Sequence, residues 1–197
     1  MWKTIEEQIE EQKEIAEAVL TQLEIICPHA ILAGGAPRDW YMGTPANDLD
    51  IYFSLDPDSK AASNRSQLKR VLPEGMVLQK EHTSKRNPMY KHMKALKRIY
   101  YYTYRGMDVQ LIQLNQLKDV FGAVGNMSCS ICKAWWKKKD VVVTYDFRLT
   151  LKSKHMFLKD TYTWDDYHPK KMRERFREAG YRLSTKGRAE KAVLSLI

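Results

Sequence analysis

The sequence predicts an α/β (α+β) domain, a mixed β-sheet flanked by helices, with a small C-terminal extension made of a β-hairpin and helix. Three observations predict it. Short β-like runs at 30–33, 47–53, 76–79, 98–104 and 107–114 alternate with segments of helical composition. The breakers Pro28, Gly34-Gly35, Gly43 and Pro73-Glu74-Gly75 fall between those runs rather than inside them. A chain of 197 residues, 44% hydrophobic and 29% charged, suits one principal core. The expected organisation is a core over 1–120, N-terminal helix included, with a basic extension over 121–197 packed on it.

Met1 to Cys27 lacks Gly and Pro and carries Ile5, Ile9, Val19, Leu20, Leu23 and Ile26 loosely on one helical face, so it reads as a helix ended by Pro28. Ala30 to Ala33 reads as a buried strand entering a tight turn at Gly34-Gly35. A short helix then runs from Pro37, near its first position, to Met42, with Gly43 at its end. Asn47 to Phe53 is the second strand, Asp56 to Ser59 a turn, and Ala61 to Leu72 a helix with Leu68, Val71 and Leu72 on one side. Strands follow at Met76–Gln79, Arg98–Tyr104 and Met107–Leu114, the last two joined tightly by Arg105-Gly106; Glu81 to Lys97 reads as a basic, mobile loop. In the last third, Asn126–Trp136 and Val141–Phe147 read as a hairpin, and Pro169–Ala179 as a helix stopped by Gly180.

Charge is divided unevenly. Residues 1–60 hold four basic and twelve acidic side chains (net −8), and residues 61–197 hold 29 basic and 12 acidic (net +17). A basic surface suited to a polyanion beside a locally acidic segment suited to metal is one reading, and a solvated basic face is the other. No run approaches the roughly 18 apolar residues of a membrane span, the first twenty residues are heavily charged, and three cysteines make no disulfide framework. A protein of the cytoplasm, with no membrane partner, is expected.

The chemistry concentrates in Leu32-Ala33-Gly34-Gly35-Ala36-Pro37-Arg38-Asp39, then Gly43, then Asn47-Asp48-Leu49-Asp50-Ile51. Two glycines after a buried strand leave backbone bare for close approach of a phosphate. In a strand, Asp48 and Asp50 share one face while Leu49 points to the core, and carboxylates about 6 to 7 Å apart can hold Mg²⁺ ions that also bind phosphate oxygens. Asp108 is a lone acid in the apolar strand Met107–Leu114, which costs free energy unless a cation or hydrogen bonds compensate it. Asp48, Asp50 and Asp108 are therefore the candidate catalytic and metal-ligating residues of a two-metal phosphoryl-transfer site, using two Mg²⁺, with Mn²⁺ able to substitute.

These residues resemble the nucleotidyltransferase superfamily that includes DNA polymerase beta, CCA-adding enzymes and bacterial poly(A) polymerases. The stretch GGAPRDWYMGTPANDLDI, with twelve residues between Gly35 and Asp48, is most similar to the head motif of CCA-adding enzymes and poly(A) polymerases. The resemblance implies that Gly34 and Gly35 hold the triphosphate, that Arg38 contacts phosphate or anchors the loop, and that Asp39 supports it. It implies transfer of NMP from an NTP to an acceptor hydroxyl, most readily on RNA, tRNA included, since the basic remainder suits such an acceptor. The likeness is strong over 31–53, extends through Asp108 and fades beyond. The arginine-rich, Asp-Phe-containing motif and the Glu-Asp-x-x-Arg element of CCA-adding enzymes are absent, and the length leaves no room for their neck, body and tail. A free-standing enzyme of the small phage type is the narrower likeness.

Plainer readings stand beside these. Arg38 suits an ion pair with Asp39 or Asp56. Cys129 and Cys132 have C-x₂-C spacing, but only Cys27 remains as a third thiol, which favours ordinary buried cysteines over zinc. Tyr100, Tyr101, Tyr102 and Tyr104 serve cross-strand packing or base stacking, Trp135 and Trp136 suit stacking on a base, and the basic runs at 85–98, 135–139 and 170–177 suit a phosphate backbone or a solvated surface. The histidines show no ligand spacing. Two alternatives to RNA modification remain open: nucleotidylation of a protein or small molecule, and a non-catalytic nucleic-acid-binding or interaction protein. The NTP used, the oligomeric state and the role of the acidic N-terminal helix are open at this point.

Overall fold

The computed structural model describes residues 2–55, 61–83 and 94–195. Helix α1 spans Ile5–Leu23 and begins at a capping box in which the Thr4 side chain accepts from Glu7 N–H while the Glu7 carboxylate accepts from Thr4 N–H. Its buried face is Ile9, Ile15, Ala16, Val19, Leu20 and Leu23; Ile5, expected on that face, is half exposed in the first turn. Then come β1 (Ile31–Ala33), α2 (Gly35–Tyr41), β2 (Asp48–Ser54), α3 (Ala61–Val71), β3 (Val77–Thr83), β4 (Leu96–Tyr104) and β5 (Met107–Leu114). The remainder comprises α4 (Leu117–Gly122), a 3-10 turn at Ser130–Cys132, β6 (Ala134–Lys137), β7 (Asp140–Val143), α5 (Tyr145–Ser153), β8 (His155–Met156), α6 (Tyr167–Arg177), β9 (Arg182–Leu183) and α7 (Lys186–Leu194).

Seven strands form one mixed sheet in the order β3-β4-β5-β2-β1-β6-β7, in which β2 and β5 are parallel and every other neighbouring pair is antiparallel. Alternation along the strands gives the sheet two different faces. Leu49, Ile51 and Phe53 of β2 and Val109 and Leu111 of β5 are buried in a large core with α1 and with Leu68 of α3. The opposite face carries Asp48, Asp50 and Tyr52 on β2, and Asp108, Gln110, Ile112 and Leu114 on β5; its apolar end packs with Val120, Ala123 and Val124. Only the aspartate end of that face is polar, so the strands that close the core also present the acids.

Several boundaries differ from expectation, each for a local reason. Helix α2 starts at Gly35, so that Pro37 is its third residue, because Gly34 (φ 92°, ψ −116°) reverses the chain immediately after β1. Strand β3 runs on to Thr83, where Arg98 of β4 pairs with Glu81 at 2.7 Å, so 81–83 and 96–97 are strand and not loop. The expected turn at 56–59 and the centre of the expected loop, 84–93, lie outside the described residues. The hairpin exists, but it is confined to 134–143 and turns at Lys138, whose φ is positive; 126–133 is not strand. Thr144 then accepts from Phe147 N–H and starts α5 where β-structure was expected to continue to Phe147. Helices α4 and α7 lie in segments where the sequence shows no strong apolar period. The hairpin joins the main sheet through β1, while Cys129, Ile131, Met156, Met172, Phe176 and Tyr181 form a separate cluster in the C-terminal part. Among the described residues no helix is long and apolar enough to cross a membrane.

Candidate active site

Because β1 runs antiparallel to β2, with Leu32 opposite Ile51, the turn that follows Ala33 arrives beside the Asp48–Asp50 end of β2. The parallel register of β2 and β5 places Asp48 opposite Asp108 and Asp50 opposite Gln110. Four polar side chains thus share one corner of the sheet. Asp48 and Asp50 are partly buried and Asp108 is exposed. Gln110, which sequence reading passed over, donates from Nε2 to Asp48 Oδ2 at 2.9 Å; its spacing of two from Asp108 was the signal that could have found it.

The electrostatics of the corner are unbalanced. Burial, and after it the charge of Asp48, push the Asp50 carboxyl up to about 8, against the pull of Lys171 and Arg38. Two adjacent acids with an amide as the hydrogen-bond donor are a hard-oxygen donor set, and a divalent cation is the group that relieves their repulsion. Asp48 and Asp50 fit such an ion. The third acid is placed differently: Asp108 neighbours Asp48 in register, but among the described residues no three His, Cys, Asp or Glu side chains gather into one metal-binding group.

The glycine turn is built for close packing. Gly34 N–H is committed to the Ala134 carbonyl of β6 at 2.9 Å, and a Cβ on Gly34 would stand 3.3 Å from Met127 Cε in a backbone region that L side chains rarely adopt. Gly35, partly exposed, is the glycine with open backbone at this turn. The following loop is clamped from α1: Gln12 Oε1 accepts from Ala46 N–H at 2.8 Å and from Trp40 Nε1 at 2.9 Å, while Gln12 Nε2 donates to the Ala46 carbonyl at 2.9 Å. The acidic N-terminal helix therefore packs on its own domain and fixes the segment leading into Asp48.

Arg38 and Asp39 are both 3% exposed and face each other, Nε to Oδ1 at 2.7 Å and Nη2 to Oδ2 at 3.0 Å. Nη1 of Arg38 points to Met172 Sδ at 3.3 Å and Cys132 Sγ at 3.6 Å, and the guanidinium lies 5.4 Å from the centroid of the Phe176 ring. Arg175 of α6 adds a second cation on Asp39 Oδ1 at 3.0 Å. The ion pair with Asp39 that the sequence allowed is formed, and the same guanidinium ties α2 to α6, with its hydrogen-bonding edge occupied.

The remaining candidates sort by burial. Trp136 is 2% exposed and meets Trp40 edge-on at 5.7 Å, and Tyr100 is fully buried, so neither presents a face to a base. Lys137 and Lys138 both reach Glu24. The cysteines are free thiols; burial, with Cys132 adding to it, pushes Cys129 up to about 12, far from a reactive thiolate at neutral pH. One face of α6, a basic run in the sequence, approaches the acids: besides Arg175 on Asp39, the charge of Lys171 acts on Asp50 and that of Asp48 on His168.

No family model and no curated protein matches the sequence. Solved structures do match the fold. A CCA-adding enzyme in complex with CTP superposes with a TM-score of 0.55 at 14% identity over 98% of this chain and 46% of that one. The Thermotoga maritima CCA-adding enzyme complexed with tRNA gives the same four values. The Bacillus stearothermophilus CCA-adding enzyme in complex with CTP gives 0.52, 14%, 92% and 42%. The chain thus spans less than half the length of these enzymes. Its seven-stranded mixed sheet flanked by helices is a nucleotidyltransferase-type fold, shared with the CCA-adding enzymes at low sequence identity.

Proposed function

We propose that the protein is a metal-dependent nucleotidyltransferase that moves NMP from an NTP to an acceptor hydroxyl, with RNA, tRNA included, as the acceptor. The observation that carries this reading is the placement of Asp48, Asp50 and Asp108 on one face of two adjacent parallel strands, beside the Gly34-Gly35 turn. The relatedness of the fold to CCA-adding enzymes, and the net +17 of residues 61–197, support the choice of NTP and RNA as partners.

Asp48 and Asp50 would hold Mg²⁺, with Asp108 as the further donor. Bound there, divalent ions would make the attacking hydroxyl more acidic and neutralise the leaving pyrophosphate. The chain's own residues divide the remaining work. The open backbone at Gly35 receives the phosphates. Gln110 fixes the Asp48 carboxylate, and Arg38 with Asp39 hold α2 rigid behind the turn. The acceptor oxygen attacks the α-phosphorus, the bond from that phosphorus to the bridging oxygen breaks, and pyrophosphate departs. The hydroxyl proton passes to Asp108, whose exposed carboxylate can release it to solvent.

The test is incubation of the purified protein with each labelled NTP, Mg²⁺ or Mn²⁺, and total RNA containing tRNA, beside Asp48→Asn and Asp108→Asn. Label entering RNA only with the wild type is the expected result and names the nucleotide. NTP binding without label in RNA would move the acceptor to a protein or small molecule. Absence of NTP binding would leave a non-catalytic nucleic-acid-binding protein as the better reading.

A further inference from the structure

Helix α6 lies against α2, fixed at two adjacent turns. Arg175 contacts Asp39 at 3.0 Å, and Met172 and Phe176 flank the Arg38 guanidinium. On a helix, residues at i, i+3 or i+4, and i+7 share a face, so His168, Lys171 and Arg175 form one row along α6. With the Arg175 end of that row pinned to Asp39, Lys171 and His168 follow one and two turns toward the N-terminus of α6 on the same face. The electrostatic influence of Lys171 on Asp50, and of Asp48 on His168, agrees with a row that runs toward the β2 acids.

We infer that Lys171 binds the triphosphate of the nucleotide, so that the C-terminal extension supplies a substrate contact to a site otherwise built from β1, α2, β2 and β5. The inference rests on the nucleotidyltransferase reading. Lys171 is exposed and makes no ion pair among the described residues, in contrast with Arg175 in the same row, which is committed to Asp39. A cation close enough to act on the Asp50 carboxylate without forming an ion pair with it is positioned for an anion that arrives beside that acid. A polyphosphate fits: its oxygens bind an acid-held divalent ion on one side and an ammonium on the other. Lys170, adjacent in sequence and also exposed, points away from this row and serves as the internal control.

The experiment is titration calorimetry in Mg²⁺ with two probes, inorganic tripolyphosphate and an NTP, on the wild type, Lys171→Met, Lys171→Arg and Lys170→Met, with melting temperatures alongside. Lys171→Met should weaken both probes about tenfold or more, a loss of the size expected for one charge-assisted phosphate contact. Lys171→Arg should stay close to the wild type, as should Lys170→Met, and all four proteins should melt together because neither lysine is buried. If the wild type binds the NTP and Lys171→Met binds it equally well, or if Lys170→Met loses as much, the Lys171 assignment is overturned and the nucleotidyltransferase reading stands. If the wild type binds neither probe, both are overturned.

Discussion

Asp39 and the Asp48–Asp50 pair lie about ten residues apart in one sequence motif, yet the fold treats them oppositely. Asp39 is almost fully buried and carries two guanidinium groups, Arg38 in bidentate contact and Arg175 at 3.0 Å. Asp48 and Asp50 are less buried and stand in a corner that also holds Asp108; the charge of Asp48 raises the Asp50 carboxyl, and the hydrogen-bond donor Asp48 receives is the neutral amide of Gln110. A carboxylate whose charge is already matched is structural. A pair left unmatched at the polar corner of a sheet is a place where a cation from solution completes the balance. The two regions are linked, because Arg38 and α6 stand behind both.

The largest way to break the comparison is Asp50→Asn. Transfer of NMP should fall at least ~10³-fold, in line with the loss of a group that stabilises transition-state charge, while the fold persists. Retained turnover in a labelled-NTP assay would remove Asp50 from the mechanism. The same variant sharpens the electrostatic half of the contrast. Because the folded pKa of Asp50 is raised to about 8, the metal-free wild type benefits from a proton on this group at low pH and loses that benefit as pH rises from about 4 toward 8. The melting temperature of Asp50→Asn should therefore gain on the metal-free wild type across that window, and Mg²⁺ should narrow the gap. A constant difference would show that the pair is already compensated.

Asp39→Ala should do the reverse, costing stability first. It leaves the buried Arg38 guanidinium without its partner, a loss of roughly 3 to 5 kcal/mol for a broken buried pair. Arg175 is also released, so α6 should loosen. Denaturant unfolding measures the loss. A midpoint unchanged from the wild type would mean that Met172, Cys132 and Phe176 suffice to hold the arginine.

The difference between the two regions also separates what was legible in the sequence from what was not. That Asp48, Asp50 and Asp108 lie on strands was legible because strand period is a local pattern, and the sheet core around Leu49 and Val109 follows from the same alternation; their meeting on one face of adjacent strands is what the register adds. The convergence of α6 on the site could not be found, since Arg175 meets Asp39 across 136 positions of chain and a basic helix looks alike whether its cations are solvated or committed. Trp136 shows the same limit: in sequence it stands beside a lysine run and suggests a base-stacking surface, whereas its register opposite Leu32 puts it in the core. The shortened hairpin has a local cause that was readable, the Thr144 cap three residues before Phe147, but β-branched Val141, Val142 and Val143 favoured extending the strand through it.

Gln12 tests whether the unmatched corner depends on its scaffold. One side chain satisfies Ala46 N–H, the Ala46 carbonyl and Trp40 Nε1. Gln12→Ala should cost about 1 to 3 kcal/mol, because polar groups in partly buried positions lose their partner. It should also lower kcat for NMP transfer more than it raises KM for the NTP if the Gly43–Asn47 segment sets the position of Asp48. Unchanged kinetics at the reduced stability would confine Gln12 to holding α1 on the domain.

The smallest expected effect concerns Asp146, an acid that belongs with Asp39 in kind. It sits in the first turn of α5 and accepts from Lys133 at 2.6 Å and Lys186 at 2.9 Å, tying the end of the 3-10 turn, α5 and α7 together. Burial would raise its carboxyl, but the two lysines outweigh burial and hold it below the ordinary range. Stability from this group is therefore fully present above about pH 4, the unfolded value, and is lost as pH falls through the lower folded value. Asp146→Asn should melt below the wild type at pH 7, with the gap closing as pH drops below 4. Lys186 is half exposed, so added salt should shrink part of that gap at neutral pH. Asp50→Asn changes in the opposite direction with pH, and the two profiles together separate an acid the protein has already matched from one it leaves unmatched.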